Sequence, residues 1–146
     1  MKIRFESRTE FIVHGYAVET ILSSCENDVG QLWEKHKESL LSIPESKSCL
    51  YGVMWYTENH RYYYHLGILS DISHKNDMTA VTIPAAYFAI ATVPDNMDAI
   101  EAWTQYFEKE LPSLGYVPNV EHGKYFEFYN ADGACELWTP VKKQTH

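Results

Sequence analysis

Two carboxylates stand among aromatic rings near the end of the chain. In "YFEFYNADGACELWTPVKK", Glu127 and Glu136 sit inside segments whose other residues suit apolar strands. A carboxylate among rings can recognise an organic cation: the charge attracts it, and each ring face adds about 0.5–2 kcal/mol of cation–π energy. Such a carboxyl, partly buried and without a cation, has a raised pKa. The alternative is a solvated face on which the glutamates keep a strand soluble, the usual place for a lone charge on a strand.

Side chains alternate across a strand, so parity decides which residues keep company. Tyr125, Glu127 and Tyr129 share one face of the first strand, and Phe126 and Phe128 the other. An even connection, with "NADG" as a four-residue loop, puts Glu127 directly across from Glu136. One face then carries Tyr125, Glu127, Tyr129, Glu136 and Trp138, and an apolar face of Phe126, Phe128, Cys135 and Leu137 is left for a helix. Like charges so placed repel. A three-residue loop with a bulge would flip one strand and undo the pairing. Earlier in the chain, Tyr51, Val53 and Trp55 are expected to share an aromatic face with Tyr62, Tyr64 and Leu66.

The elements that must hold these residues follow from periodicity. "TEFIVHGYAVET" reads as a strand, rich in β-branched and aromatic residues. "SSCENDVGQLWEKHKESLLSIP" reads as a helix on the spacing of Val29, Leu32, Trp33, Leu40 and Leu41, with Pro44 beyond its end. "CLYGVMWY" and "RYYYHLGIL" are strands around "TENH". The order then repeats. "AVTIPAAYFAIATVP" is a strand; "DNMDAIEAWTQYFEKELPSLGY" is a helix capped near Asp95–Asn96 and stopped by Pro112 and Gly115; two strands follow around "ADGA". Val29, Leu32, Trp33 and Leu41 fall on Ala99, Ala102, Trp103 and Leu111 at a period of about 70 residues. The expected architecture is α+β: tandem duplicated strand–helix–strand–strand units with pseudo-two-fold symmetry. One domain spans 1–146, with halves of about 1–72 and 76–146 joined by "SDISHKNDM". A central ligand cleft is expected where the halves meet, on a sheet face that the two helices leave open.

Bulk properties exclude several functions. The 146 residues carry a net charge of −8, with 20 acidic against 12 scattered basic residues, which disfavours direct nucleic-acid and anionic-membrane binding. The 14% aromatic content, led by 11 tyrosines, suits a binding surface as well as it suits strands. Cys25, Cys49 and Cys135 form no CxxC pair and read as a reduced, cytoplasmic set. The N-terminal stretch lacks the apolar core of a signal peptide, and no apolar run is long enough to span a membrane. His60 and His65 point to opposite strand faces, so no metal site is expected. No Gly-rich phosphate loop occurs, and no cofactor is expected.

Taken in order, "YGV", "YYYHLGI", "IPAAYFAI", the Trp-bearing helix leading to "LPSLGY", "YFEFYN" and "CELWTPVK" resemble the GyrI-like effector-binding domain. That module is also the ligand-sensing half of AraC-type and MerR-type multidrug regulators, and the resemblance covers nearly the whole chain. It implies the duplicated fold and a cleft that binds bulky, often cationic, lipophilic molecules through a buried glutamate and aromatic walls. By matching motifs, the acid is Glu136 in "ELWTPV", with Glu127 in "FEFY" as second candidate. Tyr51, Tyr64, Tyr87, Trp103 and Trp138 form the wall; the helix stripe assigns Trp103 equally well to the core. Glu110 stands where the family often has tryptophan. No helix-turn-helix is read, so the resemblance is to a stand-alone member.

Three functions compete. The first is a stand-alone binding protein for lipophilic cationic or aromatic compounds, of use in sequestration or sensing. The second, implied by the resemblance, is a hydrolase of strained-ring genotoxic compounds, with Glu136 as general base and Tyr64 or Tyr87 as proton donor. The third is a protein-interaction module of the gyrase-inhibitor kind. An exposed aromatic sheet face would also allow a homodimer.

Overall fold

The computed structural model describes residues 1–145 and has an α+β architecture, with one large antiparallel sheet and two helical segments on one of its faces. The chain begins with β1 (Lys2–Arg8) and β2 (Phe11–Ile21), then α1 (Cys25–Leu41), a single 3-10 turn at Pro44–Ser46, β3 (Leu50–Tyr56) and β4 (Arg61–Leu69). Next come β5 (Thr79–Ile83), β6 (Ala86–Thr92), α2 (Ala99–Gln105), a π-helical stretch Tyr106–Glu110, α3 (Leu111–Ser113), β7 (Tyr116–Pro118), β8 (Tyr125–Tyr129) and β9 (Cys135–Lys143). The sheet runs β1-β6-β9-β8-β3-β4-β2-β5, and β7 pairs with β9.

Several elements depart from the sequence expectation. The segment expected as one strand around "TIPAAY" is two, because Pro84 interrupts the ladder, and its halves lie near opposite ends of the sheet. β1 and β7 were not read at all; β1 is dominated by charges and carries only Ile3 and Phe5 as large apolar residues. The second helix starts later than expected: Asp98 is its cap, accepting the backbone N–H of Glu101 at 2.8 Å. Pro112 sits in the first turn of α3, where a missing N–H costs nothing, and Gly115 ends the run at φ 78°.

Hairpin parity is the largest correction. Phe126 pairs with Trp138, Glu127 with Leu137 and Phe128 with Glu136, so Glu127 and Glu136 lie on opposite faces. Asn130 donates its N–H to the carbonyl of Ala134 at 3.0 Å, and Gly133 (φ 81°) donates to Asn130 at 2.9 Å. The loop between the last paired residues is therefore the three residues Ala131, Asp132 and Gly133, the bulged alternative. The β3–β4 hairpin repeats the shift. Thr57 pairs with Arg61 across Glu58, Asn59 and His60, the last two at φ 64° and 60°. Tyr64 thus shares a face with Met54, and Tyr51 with Gly67, not with Tyr62, Tyr64 and Leu66.

These registers sort the side chains into three cores. Leu40 of α1 packs with Leu50, Leu66 and Ile68 of the sheet; Ala102, Tyr106 and Leu111 of the second helical segment pack with Ala89 and Leu137. The face without helices is filled as well. Val13, Val81 and Ile83 from one end of the sheet meet Phe88, Ile90 and Trp138 from the other, around Tyr51, Val53 and Phe126. Residues from the two ends can meet only because the twisted sheet curls over this face. The expectation of an open aromatic face there is corrected: that face is a packed core.

Candidate functional site

Glu127 lies at the middle of the helix-bearing side. It occupies β8, beside β3 at the centre of the strand order, and is only 5% exposed. Its Oε1 accepts hydrogen bonds from the hydroxyls of Tyr64 and Tyr129, both at 2.8 Å, and its Oε2 accepts from the indole Nε1 of Trp103 at 2.8 Å. Trp33 of α1 donates from Nε1 to the Tyr64 hydroxyl at 3.0 Å. Each helix therefore sends one tryptophan to the carboxylate, Trp103 directly and Trp33 through Tyr64.

The backbone makes room for this. Gly52 of β3 pairs with Glu127 and with Leu66. A Cβ at position 52 would stand 2.1 Å from the Tyr64 hydroxyl oxygen and 3.1 Å from Glu127 Oε1. Glycine is required because the Tyr64 ring crosses the strand there to reach its acceptor. The rings then brace one another. Trp33 meets Tyr129 edge-on at 4.8 Å, and Tyr125 meets Trp103 at 5.6 Å and Phe107 at 5.9 Å. Toward solvent the wall continues through Tyr56, which is 66% exposed and 6.0 Å from Tyr125.

The electrostatics are those of an unpaired buried acid. Among the described residues no lysine or arginine lies within ion-pair distance of Glu127. Burial raises its carboxyl above the usual range, and the hydrogen bonds from Trp103, Tyr64 and Tyr129 counter only part of that. Burial, reinforced by the charge of Glu127, pushes the Tyr64 and Tyr129 phenols up, so both stay protonated and donate. Burial also pushes the nearby Cys135 thiol up to about 12, which keeps it unreactive. A cation entering here would meet a carboxyl already held by fixed donors, with aromatic faces around it.

The other residues singled out from the sequence lie elsewhere. Glu136 is on the opposite face, bonded to the Arg4 guanidinium at 2.8 Å and accepting from the Trp138 indole at 3.2 Å. Tyr51 and Trp138 are buried in the core of the helix-free face. Tyr87 is on β6, 42% exposed, stacked on Phe5 at 5.7 Å and two strands removed from Glu127. Tyr64 and Trp103 are in contact with Glu127. Glu110, at the departure from the family pattern, accepts from Gln105 at 3.1 Å and adds no ring to the cleft. Sequence reasoning missed Trp33 and Gly52. The signal for Trp33 was its alignment with Trp103, read only as a core stripe.

The fold and this site define an effector-binding class of protein. With the chain of SAV2435 bound to tetraphenylphosphonium it superposes at a TM-score of 0.72 and 13% identity, covering 97% of this chain and 94% of that one. An integron cassette protein from the mobile metagenome of Vibrio cholerae matches at 0.68 and 19% identity over 96% and 95%. The C-terminal domain of EcmrR matches at 0.61 and 14% over 97% and 98%; in an EcmrR–DNA complex the match spans 57% of the EcmrR chain. At these identities the likeness is one of fold. No curated protein matches. The family is shown by sequence: residues 4–141 match the Cass2 model, and the chain belongs to the integron-associated effector-binding proteins.

Proposed function

We propose that this protein binds bulky lipophilic cations in the cleft between α1 and α2, with Glu127 as the charge partner and Tyr64, Tyr129, Trp33, Trp103 and Tyr125 as its walls. One observation carries the reading. A carboxylate that is 5% exposed is held by three aromatic donors without an internal cation. Burying an acid unpaired is costly, and a ligand cation would repay that cost. The tetraphenylphosphonium on SAV2435 is a compound of this class on a similar fold. Glu136, already matched to Arg4, has no charge to offer.

Each half runs two strands, a helical segment and then an antiparallel hairpin (β3–β4 in the first, β8–β9 in the second), and Gly52 faces Glu127 across the central β3–β8 pair; this supports a duplicated origin in which one half supplies the acid and the other the space for it. Tetraphenylphosphonium titration by calorimetry tests the binding. With a cation centre about 6 Å from the carboxylate and an effective dielectric near 20, the attraction is about 3 kcal/mol. After the cost of ionising a raised carboxyl, Glu127→Gln should weaken binding about tenfold to a hundredfold. Glu136→Gln should leave it unchanged. The reverse ranking would move the site to the other face.

The hydrolase reading keeps one supporting observation, the 2.8 Å bond between Tyr64 and Glu127, which pairs an acid with a proton donor in one cleft. Turnover of a strained-ring substrate that Glu127→Gln and Tyr64→Phe both abolish would establish it. The net charge of −8 disfavours direct contact of this chain with a phosphate backbone.

A further inference from the structure

A second feature lies outside the cleft, on the far side of α1. β2 pairs with β4 from Val13 to Ile21 but with β5 only from Phe11 to Gly15. The outer edge of Tyr16–Ile21 therefore has no strand beside it. Among the described residues, the one further backbone bond along this stretch is from Ser24 N–H to the carbonyl of Ile21. Six residues of free edge are about 20 Å of unpaired ladder. Such an edge is a template for another strand unless charges, proline or a bulge guard it. The terminal strand β1 carries Lys2, Arg4, Glu6 and Arg8; this stretch of β2 carries only Glu19, which is ion-paired with Arg61.

The edge is overhung by α1, and a groove of about 410 Å³ runs between them. Its floor is apolar, from Val18 and Leu32. Tyr16 and His36 stack at 3.7 Å with their planes 10° apart, forming one flat wall. Two carboxylates look onto it. Asp28 accepts from the Thr20 hydroxyl at 2.7 Å and Asp77 from the Tyr16 hydroxyl at 3.2 Å, and neither has an ion-pair partner among the described residues. Lys35, on the exposed side of α1, is the one cation lining it.

We propose that this groove docks an extended peptide segment of a partner protein, which adds to the free edge of β2 as a strand where β5 stops. The ladder supplies main-chain hydrogen bonds, and alternate side chains enter the groove. Those side chains are an apolar residue over Val18 and Leu32 and a lysine or arginine beside Asp28 and Asp77. The partner is thus an extended segment in which every second residue faces the groove, and those groove-facing residues are in turn β-branched and basic.

The probe is an acetylated, amidated hexapeptide valine–threonine–lysine–threonine–valine–threonine, which puts valine and lysine on one face, titrated against the whole chain by calorimetry and amide hydrogen exchange. Saturable binding with slowed exchange along residues 16–21 is expected. Val18→Arg, which fills the groove and repels the lysine, should abolish it while leaving tetraphenylphosphonium binding intact, and that second readout shows the variant is folded. Asp77→Asn should weaken it several-fold. Absence of binding, equal binding of the same peptide with glutamate in place of lysine, or displacement of the peptide by tetraphenylphosphonium would each overturn the proposal. A dimer of the free protein that Val18→Arg dissociates would also overturn it, since the edge would then be closed by a second copy.

Discussion

Gly52→Ala is the smallest change that should break the cleft. The added Cβ would lie 2.1 Å from the Tyr64 hydroxyl oxygen and 2.6 Å from its Cζ, inside any real contact distance. Both atoms belong to a ring packed in the core under α1, 3% exposed, so the ring cannot simply swing into solvent. Moving it costs the hydrogen bond to Glu127 and the one received from Trp33. One of these is to a charged group, so together they are worth about 2–4 kcal/mol. The stiffer unfolded chain of alanine returns about 0.4–1 kcal/mol. The net loss, about 1–3 kcal/mol, corresponds to a drop in Tm of roughly 3–10 °C for a chain of this size. Thermal unfolding of Gly52→Ala, Tyr64→Ala and the double variant measures it. In the Tyr64→Ala background the clash partner is gone, so alanine at position 52 should be neutral or slightly stabilising. Equal cost in both backgrounds would refute the assignment of Gly52 to the Tyr64 ring.

Other outcomes follow from the same contacts. Trp103→Phe keeps a ring but removes the donor to Oε2, so the Glu127 carboxyl should rise further and cation affinity should fall most at mildly acidic pH; NMR titration of the carboxyl carbon reads this directly. Glu127 has a raised carboxyl in the folded protein, so its contribution to stability is present below the ordinary carboxylate range and lost as pH rises through the raised value. Glu127→Gln should therefore gain stability relative to wild type as pH rises above the ordinary carboxylate range, as measured by denaturant unfolding. The amide can turn its oxygen to Trp103 and its nitrogen to the tyrosine hydroxyls, so the fold should survive. Arg4→Gln breaks a half-exposed ion pair with Glu136 and should change stability by less than about 1 kcal/mol, with no change in cation binding.

Much of the scaffold was legible in the sequence. Helix α1 follows from the spacing of Val29, Leu32, Leu40 and Leu41, and the strands β3, β4, β8 and β9 follow from their aromatic and β-branched runs. Whether Glu127 and Glu136 share a face turned on a single residue of loop length, while the preference for Glu136 came from the motif resemblance. In "NADGA" the glycine at positive φ is a readable sign of a three-residue bulged loop. In "TENHR" the left-handed residues are Asn59 and His60, and no glycine announces them. Because side chains alternate, each such slip moves a whole set to the other face. The curl that fills the helix-free face with Phe126 and Trp138 depends on contacts between strands far apart in sequence, and local pattern does not carry it. The path by which Trp33 reaches the acid passes through Tyr64 over Gly52, a tertiary arrangement of the same kind.

The central claim is that Glu127 is a buried acid waiting for a cation, and proton linkage tests it most directly. A carboxyl raised by burial is partly protonated below its shifted value, and an incoming cation must drive the proton off. Calorimetry of tetraphenylphosphonium binding, in buffers of different ionisation enthalpy and at pH values from the ordinary carboxylate range upward, counts the protons released. The account predicts release approaching one proton at the acid end and fading toward the alkaline end. Affinity should rise over the same range, and both effects should vanish in Glu127→Gln. Tight binding that releases no proton at any pH, or release that persists in Glu127→Gln, would contradict it.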